Sequence, residues 1–308
     1  MGVPYEIAMD KVICTKDLTK FYGKKRGVLD LNLEVEQGEI FGFLGPNGAG
    51  KTTTIRTLLD FIRPTRGSAT IFGLDVRQQS RDIRKRIGYV LDELALYDNM
   101  TSAEFLRYFG HLRGGVKWEL VQELAERLKS DLSEPVRSLS RGNRQKIGLI
   151  QAFMHRPELL ILDEPSVGLD PLMQQELYHL LTEFRDEGRT VFLSSHNLPE
   201  VERVCDRLGI IREGRLIDVE HVAALKERAL RHVEVRFAGP VPEGIFADLP
   251  GVSDLRIENN TLHCTVMGAL DPFIKAVAGF QVVDLISHEP SLEDIFLTYY
   301  GQGGEHAE

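Results

Sequence analysis

The stretch GPNGAGKTT, residues Gly45–Thr53, lies between the apolar run IFGFL and the helical pattern TTTIRTLLDFI. Its Gly45, Gly50, Lys51 and Thr52 fit the spacing G-x-x-x-x-G-K-[ST], and a strand before the motif with a helix after it is the context that the motif requires. Glycines let backbone N–H groups wrap phosphates, the lysine neutralises the terminal phosphates, and the helix N-terminus favours the anion. The stretch therefore predicts a loop that binds the phosphates of a nucleotide.

The run ELLILDEP, residues 158–165, supplies a second element that such a loop needs. Its apolar residues end in Asp163, so this carboxylate is expected at the carboxyl end of a buried strand, where it can hold Mg²⁺ together with the Thr52 hydroxyl. Glu164 follows and can polarise the water that attacks the terminal phosphate. Without the loop, the simpler interpretation of the two acids would be strand-end side chains that face solvent.

A histidine follows another apolar strand, TVFL, in the segment SSHN. This places His196 at a strand end, where α/β folds bind their ligands. We expect His196 to hydrogen-bond the γ-phosphate and the attacking water, so Lys51, Glu164 and His196 are the candidate catalytic residues. The other histidines lack such a placement and are interpreted as structural or surface residues.

The composition is that of an ordinary globular chain. The 308 residues are 43% hydrophobic and 27% charged, and this length favours two domains. A net charge of −9 gives no electrostatic footprint for nucleic acid, so no nucleic-acid partner is expected. Cys14, Cys205 and Cys264 do not have the spacing of a disulfide framework or a zinc site. No apolar run approaches the ~18 residues that span a bilayer, so any membrane role is expected to come through a partner.

Two domains are predicted from the pattern of elements. Over residues 1–227 short apolar runs alternate with amphipathic helical patterns, which is typical of an α/β fold with a mainly parallel sheet. Within this domain, residues from about 92 to 155 form a helical subdomain inserted between two parts of the sheet. Residues 228–308 read as a small α+β domain, with two strands around the turn Asn259-Asn260 and a last helix capped by Ser291.

The order of the motifs resembles that of a known family. After the phosphate-binding loop come LSRGN, LLILDEP, GLDP and SSH, and over about residues 11–220 this order and these intervals are similar to the ATP-binding subunit of ABC transporters. The tail EPSLEDIFL is similar to the end of ATPases that pair with ABC-2-type permeases, mostly exporters. The resemblance implies the P-loop NTPase cassette fold, α/β with a helical subdomain, followed here by the small α+β C-terminal domain.

The resemblance also implies which residues bind ATP. In the family the whole loop contacts the nucleotide; here it comprises Gly45, Pro46, Asn47, Gly48, Ala49, Gly50, Lys51, Thr52 and Thr53. Tyr22 stands where the family has an aromatic ring stacked on adenine, the alternative being a core or turn aromatic. Asp92 stands in the loop where the family usually has Gln, sometimes Glu. Its side chain is one methylene shorter than that of Glu, which counts against a role at the Mg²⁺.

The segment LSRGN gives the most specific expectation. It comprises Leu139, Ser140, Arg141, Gly142 and Asn143. In the family two cassettes close head to tail around two ATP molecules, so that this segment of one subunit faces the γ-phosphate bound by the other. Ser140 offers a hydroxyl, and Gly142 allows a close approach at a helix N-terminus, which favours the anion. Arg141 and Asn143 depart from the commonest family residues, Gly and Gln. Asp170, in GLDP, lies in the segment that crosses the dimer interface.

The implied function is a transport-coupled ATPase that converts ATP and water to ADP and phosphate. Its expected partners are a separate membrane permease, on the cytoplasmic face of the cell membrane, and a second copy of itself or a paralogous ATPase. The C-terminal domain is expected to stabilise or regulate the dimer. An importer ATPase and a non-transport ABC ATPase acting on a soluble machine remain alternatives, although a single cassette without sustained heptads counts against the second. The transported substrate stays open.

Overall fold

The computed structural model describes residues 10–91, 96–227, 230–241 and 243–288. Two expectations lie outside these ranges, namely the Mg²⁺ role of Asp92 and the last helix capped by Ser291. The chain divides into two compact units, Met1–Val219 and Glu220–Glu308. Within the described ranges no helix combines the length and apolar character needed to cross a bilayer.

The first unit alternates strands with helices. Its strands are β1 (Lys11–Tyr22), β2 (Lys25–Leu31), β3 (Glu34–Glu36), β4 (Ile40–Leu44), β5 (Arg66–Ile71), β6 (Leu74–Asp75), β7 (Ile87–Val90), β8 (Leu159–Asp163), β9 (Thr190–Ser195), β10 (Arg207–Arg212) and β11 (Arg215–His221). Its helices are α1 (Lys51–Leu58), α2 (Ser80–Arg86), α3 (Ser102–Leu112), α4 (Trp118–Arg127), α5 (Arg141–Phe153), α6 (Pro171–Asp186) and α7 (Leu198–Val204), with a 3-10 turn at Val136–Ser138.

A six-stranded sheet in the order β11-β10-β4-β9-β8-β7 carries the predicted motifs at its edge. Its strands from β10 to β7 pair in parallel, and β4, β8 and β9 are buried along their whole length. Such strands have apolar side chains on both faces, which explains why they were recognisable as continuous runs. Because the strands are parallel, the carboxyl ends of β4, β9 and β8 lie side by side.

A second sheet has five strands and was not described in the sequence analysis. It has the order β2-β1-β5-β6, β3 also pairs with β1, and the pairings are antiparallel. The long strand β1 departs from regular alternation because its register shifts between Lys16 and Thr19, with Asp17 in the left-handed region at φ 48°. Ile13 and Ile71 of this sheet join Phe41 and Phe192 of the parallel sheet in one buried core.

The described part of the segment between β7 and β8 contains the helices α3, α4 and α5 and the 3-10 turn. Helix α3 begins with a capping box, in which the Thr101 hydroxyl accepts from Glu104 N and the Glu104 carboxylate accepts from Thr101 N at 2.8 Å. The rings of Tyr97, Tyr108 and Phe109 pack edge-on or stacked against one another. Tyr97 and Tyr108 remain 52% and 42% exposed, so this subdomain presents an aromatic surface.

The second unit is an antiparallel sheet with short helices. Its elements are α8 (Val222–Glu227), β12 (Leu230–Phe237), α9 (Glu243–Ala247), β13 (Val252–Glu258), β14 (Thr261–Met267), α10 (Asp271–Val277) and β15 (Val282–His288). The strand order is β13-β14-β12-β15. Asn259 and Asn260 form the turn between β13 and β14 with φ of 47° and 66°, the left-handed conformation that Asn tolerates. Phe246 of α9 and Phe273 of α10 lie in its core.

Candidate functional site

A cleft of about 450 Å³ lies at the carboxyl end of β4. It is lined by Tyr22, Lys25, Arg26, Gly27, Pro46, Asn47, Gly48, Gly50, Lys51, Thr52, Thr53 and Glu164. Most of the predicted phosphate-binding loop is therefore brought together with Tyr22 from β1 and Glu164 from the end of β8. Lys25 and Arg26, which were not predicted from the sequence, add positive charge beside the loop and so favour an anionic ligand.

Two glycines of the loop are required by backbone geometry. Gly50 has φ of 116°, a conformation that other residues rarely adopt, and a Cβ there would lie 2.7 Å from the Gly27 carbonyl oxygen. A Cβ at Gly45 would lie 2.3 Å from the Ile211 carbonyl oxygen. The loop thus turns tightly between β4 and α1, and α1 begins at Lys51 with its N-terminus at the cleft.

Lys51 is the buried cation of the loop and is only 6% exposed. Its Nζ donates to the carbonyl oxygens of Gly45 at 2.5 Å and Pro46 at 3.3 Å. The same Nζ lies 3.2 Å from Glu164 Oε1 in an ion pair. The ammonium group is therefore held at the loop by two carbonyl acceptors and by one ion pair.

Asp163 and Ser194 are directly opposite each other in the parallel pairing of β8 and β9. The Asp163 side chain is fully buried, and the Ser194 Oγ donates to its Oδ1 at 2.5 Å. This hydrogen bond fixes the orientation of the carboxylate at the last residue of β8. Among the described residues no three His, Cys, Asp or Glu side chains form a group that could hold a metal ion.

Glu164 connects the cation of the loop with the predicted histidine. Its backbone is in the left-handed region at φ 51°, and its N–H donates to the Ser194 carbonyl oxygen at 3.1 Å. Its Oε2 lies 2.7 Å from His196 Nδ1, while Oε1 pairs with Lys51. Because a carboxylate only accepts, Nδ1 carries the proton of this hydrogen bond. The three candidate catalytic residues thus form one contiguous chain of contacts.

A buried acid that was not predicted from the sequence lies close to Glu164 and His196. Glu200 in α7 is 2% exposed, and its Oε2 accepts from the Ser195 hydroxyl at 2.5 Å. Burial raises the pKa of the Glu200 carboxyl, and the hydroxyls of Ser195 and Ser166 oppose that shift, while the nearby Glu164 charge adds to it. One pattern could have revealed it, because Glu200 stands four residues before the buried Val204 and therefore shares the inner face of the helix.

Tyr22, the last residue of β1, lies at the rim of the cleft with its side chain 45% exposed. The Lys20 Nζ lies 5.3 Å from the centre of its ring. A Cβ built at Gly27 would lie 3.1 Å from Tyr22 Cε2, so the ring packs beside the start of β2. The ring is available to a planar group in the cleft.

The segment Leu139–Asn143 does not line the cleft of its own chain. Ser140 is the N-cap of α5, and its Oγ accepts from the Asn143 N–H at 3.2 Å. A Cβ at Gly142 would lie 2.3 Å from the Gly168 carbonyl oxygen. Gly142 is therefore required by packing within this chain, a reason that the sequence did not reveal.

Asp170 is the N-cap of α6. Its Oδ1 accepts from Leu172 N and Met173 N, both at 3.0 Å. The carboxylate thus has a local role in starting the helix. Asp170 is exposed and follows Gly168 closely in the chain. Because the Gly168 carbonyl oxygen lies close to Gly142, the loop before α6 lies against the start of α5.

Comparison with known proteins identifies the family. Residues 28–167 match the family model described as ABC transporter. Over 304 residues the chain is 36% identical to the bacitracin transport ATP-binding protein BcrA of Bacillus licheniformis, a match that covers 96% of this chain and 99% of that protein. The chain belongs to the ATP-binding proteins of ABC transporters. The linearmycin resistance ATP-binding protein LnrL of Bacillus subtilis is 31% identical to this ABC protein over 303 residues. The match covers 93% of this chain and 97% of LnrL.

The solved structures agree with this family. A structure described as an ATP-binding subunit of an ABC transporter is 30% identical, with a TM-score of 0.64, and the match covers 70% of this chain and 92% of that one. The predicted P-loop cassette fold and the predicted family are confirmed. This ABC protein is an ATPase subunit, the ATP-driven motor of an exporter-type transporter.

Proposed function

We propose that ATP is bound and hydrolysed in the cleft at the end of β4, by Lys51, Glu164 and His196. The observation that carries this proposal is their continuous set of contacts, with Nζ–Oε1 of 3.2 Å and Oε2–Nδ1 of 2.7 Å, at the mouth of the loop. An arriving phosphate would take the place of Glu164 as the partner of Lys51, since both are anions that the ammonium can bind. Glu164 is then released to act on water.

The reaction is an in-line attack of water on the γ-phosphorus of ATP. The bond from the γ-phosphorus to the bridging oxygen breaks, ADP leaves, and the water proton passes to the Glu164 carboxylate before it reaches the phosphate product. His196 Nδ1 orients that carboxylate. When a neutral imidazole donates from Nδ1, its Nε2 is an acceptor, so a contact from Nε2 to a phosphate oxygen requires the doubly protonated ring.

Mg²⁺ fits the oxygen atoms present at this site. Thr52 offers a hydroxyl in the first turn of α1, and Asp163 offers a carboxylate held by Ser194. Magnesium commonly takes one or two protein oxygens and completes its coordination with water and substrate phosphates, so these two side chains would be sufficient to hold it. When bound, Mg²⁺ supplies positive charge to the phosphate oxygens. Asp92 remains a proposed additional ligand.

We infer that the complete site needs a second ABC subunit, either another copy or a paralogous ATPase. Leu139–Asn143 does not reach the cleft of its own chain, yet Ser140 and the N-terminus of α5 form a polar end suited to an anion. Head-to-tail closure of two cassettes would place this end, including Arg141, against the γ-phosphate bound by the partner, with Asp170 in the interface. The C-terminal unit would stabilise or regulate that dimer.

Tyr22 is proposed to stack on the adenine ring. Substitution Tyr22→Ala should weaken ATP binding by about 5- to 150-fold, since the stacking of a base on an aromatic ring contributes ~1–3 kcal/mol, while kcat at saturating ATP stays near the wild-type value. Binding of a fluorescent ATP analogue measures this, with Tyr22→Trp and Phe21→Ala as controls that keep their affinity. Equal affinity of Tyr22→Ala and wild type would leave Tyr22 as an ordinary turn aromatic.

The ABC protein is proposed to act at the cytoplasmic face of the membrane, on a permease that docks against the aromatic surface of Tyr97 and Tyr108. Tagged protein incubated with detergent-solubilised membranes should retain a polytopic membrane protein in about equal amount, identified by mass spectrometry. Tyr97→Arg should lose it, and Ile217→Arg, an exposed apolar position of β11, should keep it. Recovery of soluble partners alone would instead favour a non-transport ATPase.

The names of two relatives bear on the cargo of that permease. BcrA of Bacillus licheniformis is named for bacitracin transport, and LnrL of Bacillus subtilis is named for linearmycin resistance. These names support an antibiotic-like cargo. Its recognition would be a property of the permease.

A further inference from the structure

Three successive residues at the end of β9 contact three different acids. Ser194 hydrogen-bonds Asp163, and His196 hydrogen-bonds Glu164, both of which the proposed reaction uses. Between them, Ser195 hydrogen-bonds Glu200, a buried carboxyl group to which the reaction assigns no part. A carboxyl group in an apolar interior is unfavourable unless its hydrogen bonds compensate for the lost solvation, so the contact between Glu200 and Ser195 calls for a functional explanation.

The Ser195 hydroxyl closes the turn that carries His196. It donates to Glu200 Oε2 at 2.5 Å and accepts from the Asn197 N–H at 2.9 Å. The Ser195 carbonyl oxygen accepts from the Gly45 N–H of the phosphate-binding loop at 3.2 Å. Three hydrogen bonds therefore hold Ser195 in place. His196 follows it in a turn, and the side chain that supports this turn is Glu200 of α7.

The rest of the His196 side chain has little support. It is half exposed, and its contact with Glu164 joins it to a residue that must itself stay free to act on water. Its orientation thus depends on the turn rather than on packing around the ring. Because the first turn of α7 is held to β9 through Glu200, loss of the carboxyl oxygen would let this turn move while the buried apolar residues Val201 and Val204 keep the helix in place.

We propose that Glu200 is a positioning residue that, through Ser195, holds the turn which directs His196 at Glu164. This inference rests on the proposed roles of His196 and Glu164 in ATP hydrolysis. Glu200 does not touch the substrate. Its carboxyl group accepts from the Ser166 hydroxyl as well as from Ser195. The positioning role needs the acceptor for Ser195, and the charge of the carboxylate is not needed for that purpose.

The test compares two substitutions of similar size. Glu200→Gln keeps an oxygen that accepts from Ser195, and Glu200→Leu removes it. We expect Glu200→Leu to lower kcat by about 10- to 100-fold, as misplacement of a catalytic group does, with the KM for ATP unchanged within about twofold. Glu200→Gln should restore kcat to within about threefold of wild type. Thermal unfolding of each variant shows whether it is folded.

A double-mutant cycle with Ser195→Ala gives a second measure. If the two side chains act through one hydrogen bond, Ser195→Ala lowers kcat as Glu200→Leu does, and the double variant falls no further. Because Ser195→Ala removes only a hydroxyl, it carries the test even if Glu200→Leu does not fold. Wild-type kcat in Ser195→Ala, or a loss in Glu200→Gln as large as in Glu200→Leu, would overturn the proposal.

His196→Ala separates this inference from the function on which it rests. If His196→Ala retains wild-type kcat, the proposed role of His196 fails, and the positioning role of Glu200 fails with it. If His196→Ala lowers kcat and both Glu200→Leu and Ser195→Ala do not, the role of His196 stands and only the role of Glu200 is refuted.

Discussion

Glu164→Gln is expected to lower kcat for ATP hydrolysis by a factor on the order of 100 to 10,000, because the amide cannot take the proton of the attacking water. ATP binding should be retained or strengthened, since the substitution removes the anion that lies 3.2 Å from the Lys51 ammonium and competes with phosphate for it. Steady-state phosphate release and equilibrium binding of labelled ATP measure the two effects separately. Glu34→Gln, an exposed acid paired with Lys11, is the control and should behave as wild type.

The same variant tests the proposed dimer. Blocked hydrolysis should hold two subunits together around ATP, so light scattering of Glu164→Gln should show a dimer with ATP and a monomer without it. A monomer at every ATP concentration would contradict the head-to-tail arrangement. A variant that hydrolyses ATP at the wild-type rate would contradict the assignment of Glu164 as the base.

Gly142→Ala is expected to lower kcat by about 100-fold, because a displacement of about 1 Å at a reacting centre causes a loss of this size. A Cβ at this position would lie 2.3 Å from the Gly168 carbonyl oxygen, so α5 and the loop before α6 must separate. The cleft of the same chain does not include Gly142, and ATP binding to the monomer should therefore be unchanged. Parallel measurements of ATP turnover and of ATP binding to the monomer test whether kcat falls while binding stays unchanged.

Gly239→Ala is a matched control for that substitution. A Cβ at Gly239 meets no atom within 4 Å, so the variant should turn over ATP at the wild-type rate. Equal kcat in Gly142→Ala and wild type would refute the view that the close approach of Gly142 to Gly168 matters for the reaction. Weaker ATP binding in the monomer would show instead that the change disturbs the cleft itself.

The elements that hold the site were predictable because each leaves a local signal. The strands β4, β8 and β9 are short runs of apolar residues, and the loop before α1 has a fixed spacing of glycine and lysine. That Asp163 lies opposite Ser194, and that Glu164 meets both Lys51 and His196, follows once these strands are parallel neighbours. The resemblance to ABC ATP-binding subunits had already implied the cassette fold, in which these strands are neighbours.

The remaining features depend on contacts between distant parts of the chain. The strand β1 has shifted register and a left-handed Asp17, so its side chains do not alternate regularly. Glu200 shares a helix face with the buried Val204, but that spacing alone does not show which residues of β9 its carboxyl group contacts. The requirement for glycine at position 142 arises from a carbonyl at position 168, which no local pattern can indicate.

The contact between Gly142 and Gly168 has a consequence for cooperativity. The start of α5, proposed to touch the partner's nucleotide, and the loop leading to Asp170, proposed to cross the interface, lie too close together to move independently. Occupancy of one ATP site would then be transmitted to the other through the contact between the start of α5 and this loop in each subunit. A dimer built in this way should respond to rising ATP with a Hill coefficient above unity, and the two sites need no separate allosteric pathway.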